Sequence, residues 1–287
     1  MKVGIIGTGL MGAPMALTLQ AAGHTVMAYN RSADKVQPLT AQGVESAATP
    51  TAVLAACDCT ILMLADATAI AATLFTPDTQ AALANHTIIQ MGTIAPEQSR
   101  DLHAQVTAAQ GQYLEAPVLG SIPQAQDGSL IVMVGSTLAE FDQWQPVFHA
   151  LGEQVLHIGP VGAGAAVKLA MNQLIGSLTT AFALSLALVQ REQIPVETFM
   201  DIVRKSALYA PTFDKKLSRM CDRDFSNPNF PTKHLLKDMR LFAQAAESAG
   251  LEPALADTVA TVVQQAIAQG LADADYSALY AAVNPER

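Results

Sequence analysis

The sequence has few cysteines and few basic residues for its length. Its 287 residues include three cysteines, and 16 Lys and Arg against 25 Asp and Glu give a formal net charge of −9. Cys57, Cys59 and Cys221 form no C-x-x-C pair and have no metal-ligand spacing, so we expect reduced thiols and no metal. Because phosphate backbones are bound by clustered basic residues and none appear, we expect no nucleic-acid partner; a small anion held by a few placed cations stays open.

A targeting signal is also lacking. The sequence begins with MKVGIIGTG and has neither a basic region nor a small-residue cleavage site there. Together with the reduced thiols, this predicts a cytoplasmic protein. With 51% hydrophobic residues the chain can bury sizeable cores, and its length allows one large or two ordinary domains.

One long stretch nearly lacks charge. Lys168 is the only Asp, Glu, Lys or Arg between Glu153 and Arg191, and residues 162–189 have the pattern of one helix after their glycines. The run is long enough to be considered for a membrane. However, Asn172 and further polar residues interrupt it, and neither an aromatic belt nor a basic flank frames it. We therefore predict a helix buried between protein surfaces, with no membrane partner.

The lone lysine of this helix needs a physical explanation. Taking an ammonium out of water is costly unless it is paired or its pKa falls. Asn172 follows Lys168 by one turn on the same helix face, so we predict a polar site there. The alternative is a lysine whose stem covers apolar surface while its head reaches water.

The two halves of the chain differ in their hydrophobic patterns. The first half alternates helical segments with short runs that are mostly apolar, as expected of strands covered on both faces. These strand candidates are KVGIIG, TVMAYN, CTILMLA, HTIIQM, QYLEA, LIVMVG and QVLHIG. The second half has helical patterns throughout. We predict an α/β protein with a doubly wound parallel sheet over residues 1–161, and an all-α domain over residues 162–287 entered through the long helix.

A glycine pattern marks the first strand-to-helix turn. Gly7, Gly9 and Gly12 have G-x-G-x-x-G spacing, with Leu10 and Met11 inside it. Gly7 permits the turn, Gly9 lets backbone approach a pyrophosphate, and Gly12 allows close packing of helix on strand. Between a strand and a helix start, this motif predicts a Rossmann dinucleotide-binding site rather than a plain tight turn.

The end of the second strand bears on the choice of cofactor. An Asp or Glu usually holds a free ribose 2′-hydroxyl there, but the sequence YNRSADK has Asn30 and Arg31 at that place. Arg31 can bind a 2′-phosphate in a bidentate pair, with Ser32 and Lys35 as further ligands of the phosphate. We therefore expect NADP(H) in preference to NAD(H); the alternative is a solvated surface arginine.

Four segments in register resemble the β-hydroxyacid dehydrogenase family, which includes 3-hydroxyisobutyrate dehydrogenase, tartronate semialdehyde reductase and the glyoxylate/succinic semialdehyde reductases. They are GIIGTGLMGAPMA, EAPVLGS with DGSL following, GAGAAVKLAMNQ, and FPTKHLLKDMRLF. The resemblance covers most of the chain. It implies a nicotinamide-dependent enzyme that interconverts a small semialdehyde or 2-oxoacid and its hydroxyacid, with a small carboxylate as substrate. It also implies a homodimer or homotetramer formed through the helical domain.

The resemblance implies roles for individual residues. Lys168 is the expected catalytic residue, Asn172 binds substrate beside it, and Lys237 closes the site over substrate and cofactor. The loop with Gly120 and Ser121 is expected to hold the substrate carboxylate through backbone N–H groups and the Ser121 hydroxyl. The family usually has a serine where this sequence has Leu119. That change favours a substrate with a larger apolar part, or one without a carboxylate.

The resemblance also places the nicotinamide half of the cofactor. Met63, Leu64 and Ala65 end one predicted strand, Thr93 follows the next, and all four are expected to line the cofactor groove. Phe230 is an ordinary core candidate with an expected place near the nicotinamide.

The chemistry leaves three functions to compare. Carbonyl reduction needs a hydride on carbon and a proton on the developing alkoxide, and Lys168 suits the second role. An imine reductase of the same fold usually lacks a lysine at this helix position, although Leu119 leaves room for that activity. A non-catalytic NADP-binding protein would have no physical need for Lys168, Asn172 and Lys237 together.

Overall fold

The computed structural model describes residues 1–286, and a sheet of nine strands forms the centre of the first half. The strands are β1 (Lys2–Ile6), β2 (Thr25–Tyr29), β3 (Glu45–Ser46), β4 (Cys59–Leu62), β5 (Thr87–Gln90), β6 (Gln112–Glu115), β7 (Val118–Leu119), β8 (Leu130–Gly135) and β9 (Gly152–Gly159). Their order is β3-β2-β1-β4-β5-β6-β8-β7, and β9 pairs with β8. All pairs from β3 to β6 are parallel, which confirms the predicted doubly wound sheet.

Helices connect the strands and form the second half. They are α1 (Gly12–Ala21), α2 (Gln37–Thr40), α3 (Pro50–Ala56), α4 (Ala67–Leu74), α5 (Pro77–Ala81), α6 (Pro96–Ala108), α7 (Ile122–Asp127), α8 (Leu138–Leu151), α9 (Ala163–Arg191), α10 (Val196–Lys205), α11 (Pro211–Asp222), α12 (Thr232–Ser248), α13 (Ala254–Ala268) and α14 (Leu279–Val283). From residue 163 to residue 286 the only β contact is one isolated bridge. The predicted helical second half, entered through a long helix, is therefore confirmed.

Neighbouring residues of the central strands belong to different cores, because successive side chains of a strand point to opposite faces. Ile5 and Ile89 lie in the core covered by α1 and α8, whereas Ile6 and Ile88 lie in the core covered by α3 and α6. All four are at most 1% exposed. The continuous apolar runs of the sequence thus reflect strands that are buried on both faces.

The far part of the sheet departs from a purely parallel arrangement. β8 pairs antiparallel with β6, at Glu115 and Gly135, and antiparallel with β7. Only β7 and the six-residue α7 lie between β6 and β8, and a parallel pair would need a longer crossover. The sequence prediction missed β3 and β7, because two-residue strands carry no detectable period.

Helix α9 contributes to the core of the helical half. Phe182 and Leu186 of α9 pack in one cluster with Met239 of α12 and Val263 of α13. A Cβ at Gly176 would lie 2.8 Å from the Met239 Sδ, so the glycine allows α9 and α12 to approach closely. The apolar stretch of the sequence therefore has one packed face, and its predicted burial between protein surfaces stays a prediction.

Of the helices within residues 1–286, α9 alone is long and apolar enough to cross a membrane by length and composition. A core helix passes the same test. Phe182 lies on its packed face, whereas Leu184 and Leu188 are 59% and 63% exposed in the single chain.

The chain divides into two compact units, Met1–Lys168 and a second that begins at Leu169, so the division falls inside α9. The predicted domain limits, 1–161 and 162–287, fall just before α9 begins. These limits stay a prediction.

A buried histidine lies immediately before β5. His86 is 5% exposed, and its Nε2 is hydrogen-bonded to the Thr60 Oγ1 at 2.8 Å. Burial lowers the pKa of His86 from 6.5 to about 4, against the opposing attraction of Asp58. The folded chain therefore holds the neutral imidazole over a pH range in which the unfolded chain is protonated.

We expect His86 to make the first unit less stable in acid. Its contribution is complete above pH 6.5, where neither state is protonated, and is lost as the pH falls towards 4. The full loss is about 3 kcal/mol. Urea unfolding can be followed through Trp144, the single tryptophan, which is 2% exposed in the same unit.

The matched variant is His86→Gln, which keeps a hydrogen-bonding group but does not titrate. Between about pH 7.5 and about pH 4 the wild type should lose about 3 kcal/mol more unfolding free energy than this variant. The same pH dependence in both proteins would contradict the assignment.

Candidate active site

The turn between β1 and α1 leaves no room for side chains at two glycines. Gly7 has φ +101°, and a Cβ there would lie 2.3 Å from the Met63 carbonyl oxygen. A Cβ at Gly12 would lie 1.9 Å from the Gly7 carbonyl oxygen. By contrast, nothing lies within 4 Å of a Cβ built at Gly9, so a ligand can approach the backbone at that point. This geometry agrees with the role that the motif predicts for each glycine.

The amino-terminal end of α1 suits an anion. No acidic residue lies in its first turn, so no side chain competes for the positive end of the helix dipole. Leu10, inside the turn, is 45% exposed, and Met11 packs partly against the core on this side of the sheet.

A cavity of about 450 Å³ lies beyond the carboxyl end of β2. Asn30 and Arg31 line it, and none of its described lining residues is a carboxylate. The others are Tyr29, Ala33, Val36, Gln37, Thr40, Ser46, Ala47 and Ala48. Ser32 and Lys35 lie at the adjacent 3-10 turn and do not line the cavity. Of the three predicted phosphate-binding residues, the structure thus places only Arg31 on this surface, together with the predicted cofactor residue Asn30. A guanidinium without a competing carboxylate fits a phosphate there.

The loop after β5 is fixed by a buried glutamine. Gln90 Nε2 donates to the Gly92 carbonyl at 3.0 Å, and Gln90 Oε1 accepts from the Gly92 N–H at 2.5 Å. Thr93, the next residue, is half-buried. Sequence reasoning missed Gln90, because a single glutamine at a strand end gives no local signal.

The loops after β4 and β5 lie beside each other. A Cβ at Gly92 would lie 2.7 Å from the Leu64 carbonyl oxygen. Met63 and Leu64 are half-buried, and Ala65 is exposed. These loops and the glycine turn share the carboxyl edge of β1, β4 and β5, where the strand order reverses. Open α/β sheets bind dinucleotides at such a point, so the residues present fit this ligand.

The loop from Leu119 to Ser121 holds its polar groups internally. The Ser121 N–H and hydroxyl both donate to Gln124 Oε1, at 2.9 and 2.7 Å. Gly120 has φ +144°, and a Cβ there would lie 2.6 Å from the Leu130 Cδ2. Leu119 is half-buried. A substrate carboxylate at Ser121 would therefore have to replace the Gln124 oxygen. The Ser-x-x-Gln pattern of a capping box could have predicted this pairing.

Lys168 lies in the second turn of α9 and is half-buried. The first turn of the same helix is bonded to a buried carboxylate on the sheet. Glu115 accepts from the N–H groups of Gly162 and Ala165, which lie 47 and 50 residues later. Its other oxygen accepts from the Ser99 hydroxyl. Sequence reasoning used Glu115 only as part of a family segment and did not foresee these contacts.

In the second unit, a buried carboxylate joins two predicted site residues. Asn172 Nδ2 donates to Asp238 Oδ2 at 2.6 Å. Lys237 Nζ lies 3.1 Å from Asp238 Oδ1, in the geometry of an ion pair rather than a hydrogen bond. Asn172 and Asp238 are 3% and 1% exposed. Because a carboxylate only accepts, the Asn172 amide must direct its NH₂ group towards Asp238.

Lys237 also lines a second cavity, of about 260 Å³, along α12. Lys233 and Arg240 line the same cavity, and two of its three cations are paired with carboxylates, Lys233 with Asp273 and Lys237 with Asp238. Phe230 packs edge-on against Tyr276, with ring centroids 5.6 Å apart, and so contributes to the core of this unit.

Within residues 1–286, no group of three or more His, Cys, Asp or Glu side chains is arranged to hold a metal ion. Cys57, Cys59 and Cys221 are free thiols. Burial raises the pKa of Cys57 to about 11, so this thiol is unreactive at neutral pH.

Two family models together match nearly the whole chain. The one described as the NAD binding domain of 6-phosphogluconate dehydrogenase matches residues 2–159. The one described as NAD-binding of NADP-dependent 3-hydroxyisobutyrate dehydrogenase matches residues 162–283. Among curated relatives, glyoxylate/succinic semialdehyde reductase 1 of Arabidopsis thaliana is 32% identical over 289 residues, covering 100% of both chains.

Solved structures share the fold. 3-Hydroxyisobutyrate dehydrogenase from Salmonella typhimurium has a TM-score of 0.87 at 26% identity, covering 97% of this chain and 98% of its own. An imine reductase from Myxococcus stipitatus in complex with NADP⁺ has a TM-score of 0.68 at 19% identity, covering 97% and 98%, and shows the fold alone. The family matches, the full-length relative and the glycine turn agree with the predicted resemblance. This chain belongs to the β-hydroxyacid dehydrogenase family of NAD(P)-dependent oxidoreductases that act on CH–OH groups, with 3-hydroxyisobutyrate dehydrogenase as a structural neighbour.

Proposed function

We propose that the protein is an NADP(H)-dependent reductase that interconverts a small semialdehyde or 2-oxoacid and its hydroxyacid. The observation that carries the proposal is the set of Lys168, Asn172 and Lys237, present in a chain that matches a glyoxylate/succinic semialdehyde reductase along its full length. Family membership gives the reaction class, and these three side chains supply polar chemistry that binding alone does not need.

The glycine turn and the cavity at β2 fit NADP(H). Gly9 lets the pyrophosphate approach the backbone, and the N-terminus of α1 favours its charge. Arg31 and Asn30 hold the 2′-phosphate in a cavity without a competing carboxylate. When bound, the cofactor supplies the hydride. The loops with Met63 and Thr93 border the nicotinamide.

Lys168 supplies the proton that the developing alkoxide needs, and it takes a proton back in the oxidative direction. An ammonium suits this role because it attracts the negative charge on oxygen and carries a transferable proton. A guanidinium offers the charge but does not release a proton in proteins.

The buried carboxylate of Asp238 organises the other polar groups. It binds the NH₂ group of Asn172, which leaves the amide oxygen to accept from a substrate hydroxyl. It also holds Lys237 by an ion pair, so that this cation is directed while it attracts the substrate carboxylate. Phe230 packs against Tyr276 in the core of the helical unit, and its expected place near the nicotinamide stays a prediction.

The substrate is a small molecule with an apolar segment. Gly120 and Ser121 bind its carboxylate after the hydrogen bonds from Ser121 to Gln124 Oε1 have broken. Leu119 contacts its carbon chain, where a family serine would offer a hydroxyl. This arrangement favours succinic semialdehyde over glyoxylate.

The assembly proposed is a cytoplasmic homodimer or homotetramer formed through the helical unit. The exposed Leu184 and Leu188 of α9 support it, because apolar surface of this kind is buried when subunits associate.

Imine reduction is the second candidate, supported by the fold shared with the Myxococcus stipitatus enzyme and by Leu119. A non-catalytic NADP-binding protein is the third. All three functions can be separated with one set of assays.

Replacing Lys168 should remove most of the aldehyde reduction. We expect Lys168→Ala to lower kcat for the preferred semialdehyde by roughly 10²–10⁴-fold, the usual contribution of a positioned general acid. NADPH oxidation at 340 nm would be followed with glyoxylate, succinic semialdehyde, tartronate semialdehyde, methylmalonate semialdehyde and a cyclic imine. Lys168→Arg is the matched control, since it keeps the charge but should not restore the rate.

The alternatives give different results in this set. Turnover of the imine that survives Lys168→Ala would establish imine reduction and refute the proposed role. Tight NADPH binding by the wild type without turnover of any aldehyde or imine would favour the non-catalytic protein.

Replacing Arg31 should weaken binding of the phosphorylated cofactor selectively. A charge-assisted pair contributes about 1.5–3 kcal/mol, so Arg31→Ala should raise the KM for NADPH by roughly 10- to 100-fold. The KM for NADH should change by less than about twofold, because NADH has no 2′-phosphate. Steady-state kinetics with both cofactors measure the difference.

Lys35→Ala is the comparison variant, because it removes the same charge from the same segment but outside the cavity lining. Lys35→Ala should raise the KM for NADPH less than Arg31→Ala does. Unchanged NADPH kinetics in Arg31→Ala would refute the NADP(H) assignment.

A further inference from the structure

Helix α9 begins without a side-chain cap of its own. Gly162 precedes it, and its first four residues are Ala, Gly, Ala and Ala. None of these offers a side-chain acceptor to the N–H groups that a helix leaves unpaired at its start. A buried N–H without a partner costs about 1–3 kcal/mol. An acceptor must therefore come from another part of the chain.

Glu115, the last residue of β6, supplies it. Glu115 Oε1 accepts from the Gly162 N–H at 2.8 Å and from the Ala165 N–H at 3.0 Å. A capping box satisfies these same two positions with two local side chains. Here one oxygen satisfies both, and the positive end of the helix dipole favours its charge.

The surroundings are shaped for this carboxylate. A Cβ at Gly135 would lie 2.5 Å from Glu115 Oε1, and a Cβ at Gly164 would lie 3.2 Å from the same atom. The Ser99 hydroxyl binds the other oxygen, and Tyr113 Oη lies 2.9 Å from Ser99 Oγ. Burial raises the pKa of Glu115, while these hydrogen bonds and those from the helix act in the opposite direction. Both oxygens of the carboxylate therefore have hydrogen-bond partners.

We propose that Glu115 is a positioning residue for the reaction, which fixes the first turn of α9 on the end of β6 and thereby directs the Lys168 side chain. Lys168 follows Ala165 by three residues on the same helix, so a shift of the first turn moves its ammonium. Glu115 also begins the segment that leads to Leu119. One carboxylate therefore joins the first turn of α9, the helix that carries the proton donor, to the end of β6, the strand that leads to the substrate loop. The inference rests on the proposed role of Lys168.

The test compares substitutions at Glu115 that differ in their acceptors. Glu115→Met fills a similar volume without an acceptor, and we expect kcat to fall on the order of 10²-fold, as for a misplaced catalytic group. The dissociation constant for NADPH, measured by fluorescence titration, should change by less than about twofold. Glu115→Gln keeps an oxygen that can accept from both N–H groups, so this variant should retain most of the wild-type kcat.

A double variant separates positioning from general damage. If Glu115 acts through Lys168, Glu115→Met should slow the residual reaction of Lys168→Ala by less than about twofold, because effects within one unit are not additive. Equal slowing in both backgrounds would make Glu115 merely structural and overturn the proposal. Ser99→Ala disturbs the same buried cluster without touching the helix N–H groups, and it should keep kcat within about twofold.

Amide hydrogen exchange gives a measure that needs no substrate. In Glu115→Met, residues 163–168 should exchange faster than in the wild type, and unchanged exchange there would overturn the proposal. If the wild type reduces no aldehyde but residues 163–168 still exchange faster in Glu115→Met, the contact between Glu115 and the helix is supported while the proposed function fails. Should Glu115→Met not fold, Glu115→Asp serves in both measurements, because it draws the carboxylate back by one methylene.

Discussion

Close approach of backbone at three glycines sets the positions of the elements that carry the site. A Cβ at Gly12 would lie 1.9 Å from a backbone oxygen of the preceding turn, and a Cβ at Gly164 would lie 2.5 Å from the Met133 carbonyl oxygen. In the second unit, a Cβ at Gly176 would lie 2.8 Å from the Met239 Sδ. These contacts seat α1 on the sheet, the start of α9 on β8, and the middle of α9 on α12. Larger side chains would separate the elements whose ends supply the chemistry.

Local patterns predicted the elements and the glycine turn, whereas long-range polar partners escaped prediction. The strands and the G-x-G-x-x-G turn depend on neighbours along the chain, so their signal is in the sequence itself. Glu115 and Asp238 bind groups 47 and 66 residues away, and no period links such positions. Ser121 differs, because its partner Gln124 lies three residues later and the Ser-x-x-Gln pattern of a capping box predicts their contact. The assigned roles of Lys168 and Lys237 depend on the family resemblance rather than on spacing.

An acidic chain with a net charge of −9 can still bind an anionic cofactor, because the relevant interactions are short-range. Arg31 lines a cavity whose described residues include no carboxylate, so its charge is available to a phosphate. Lys237 is paired with Asp238, so its charge is partly balanced and its position is constrained. Under the proposed function, Arg31 attracts the strongly charged 2′-phosphate, whereas Lys237 orients the smaller charge of a carboxylate.

Under the proposed function, the choice among semialdehydes depends on the loop from Leu119 to Ser121. A serine at position 119 would add a hydrogen bond to the substrate, worth about 1 kcal/mol. Leu119 offers instead an apolar contact, and each methylene buried against it contributes about 0.8 kcal/mol. A four-carbon semialdehyde has two methylenes with which to offset the missing hydrogen bond, whereas a two-carbon oxoacid has none. Because Gln124 already occupies both donors of Ser121, the loop cannot recover that hydrogen bond without breaking its own. The apolar segment of the substrate is therefore the feature that this site is built to distinguish.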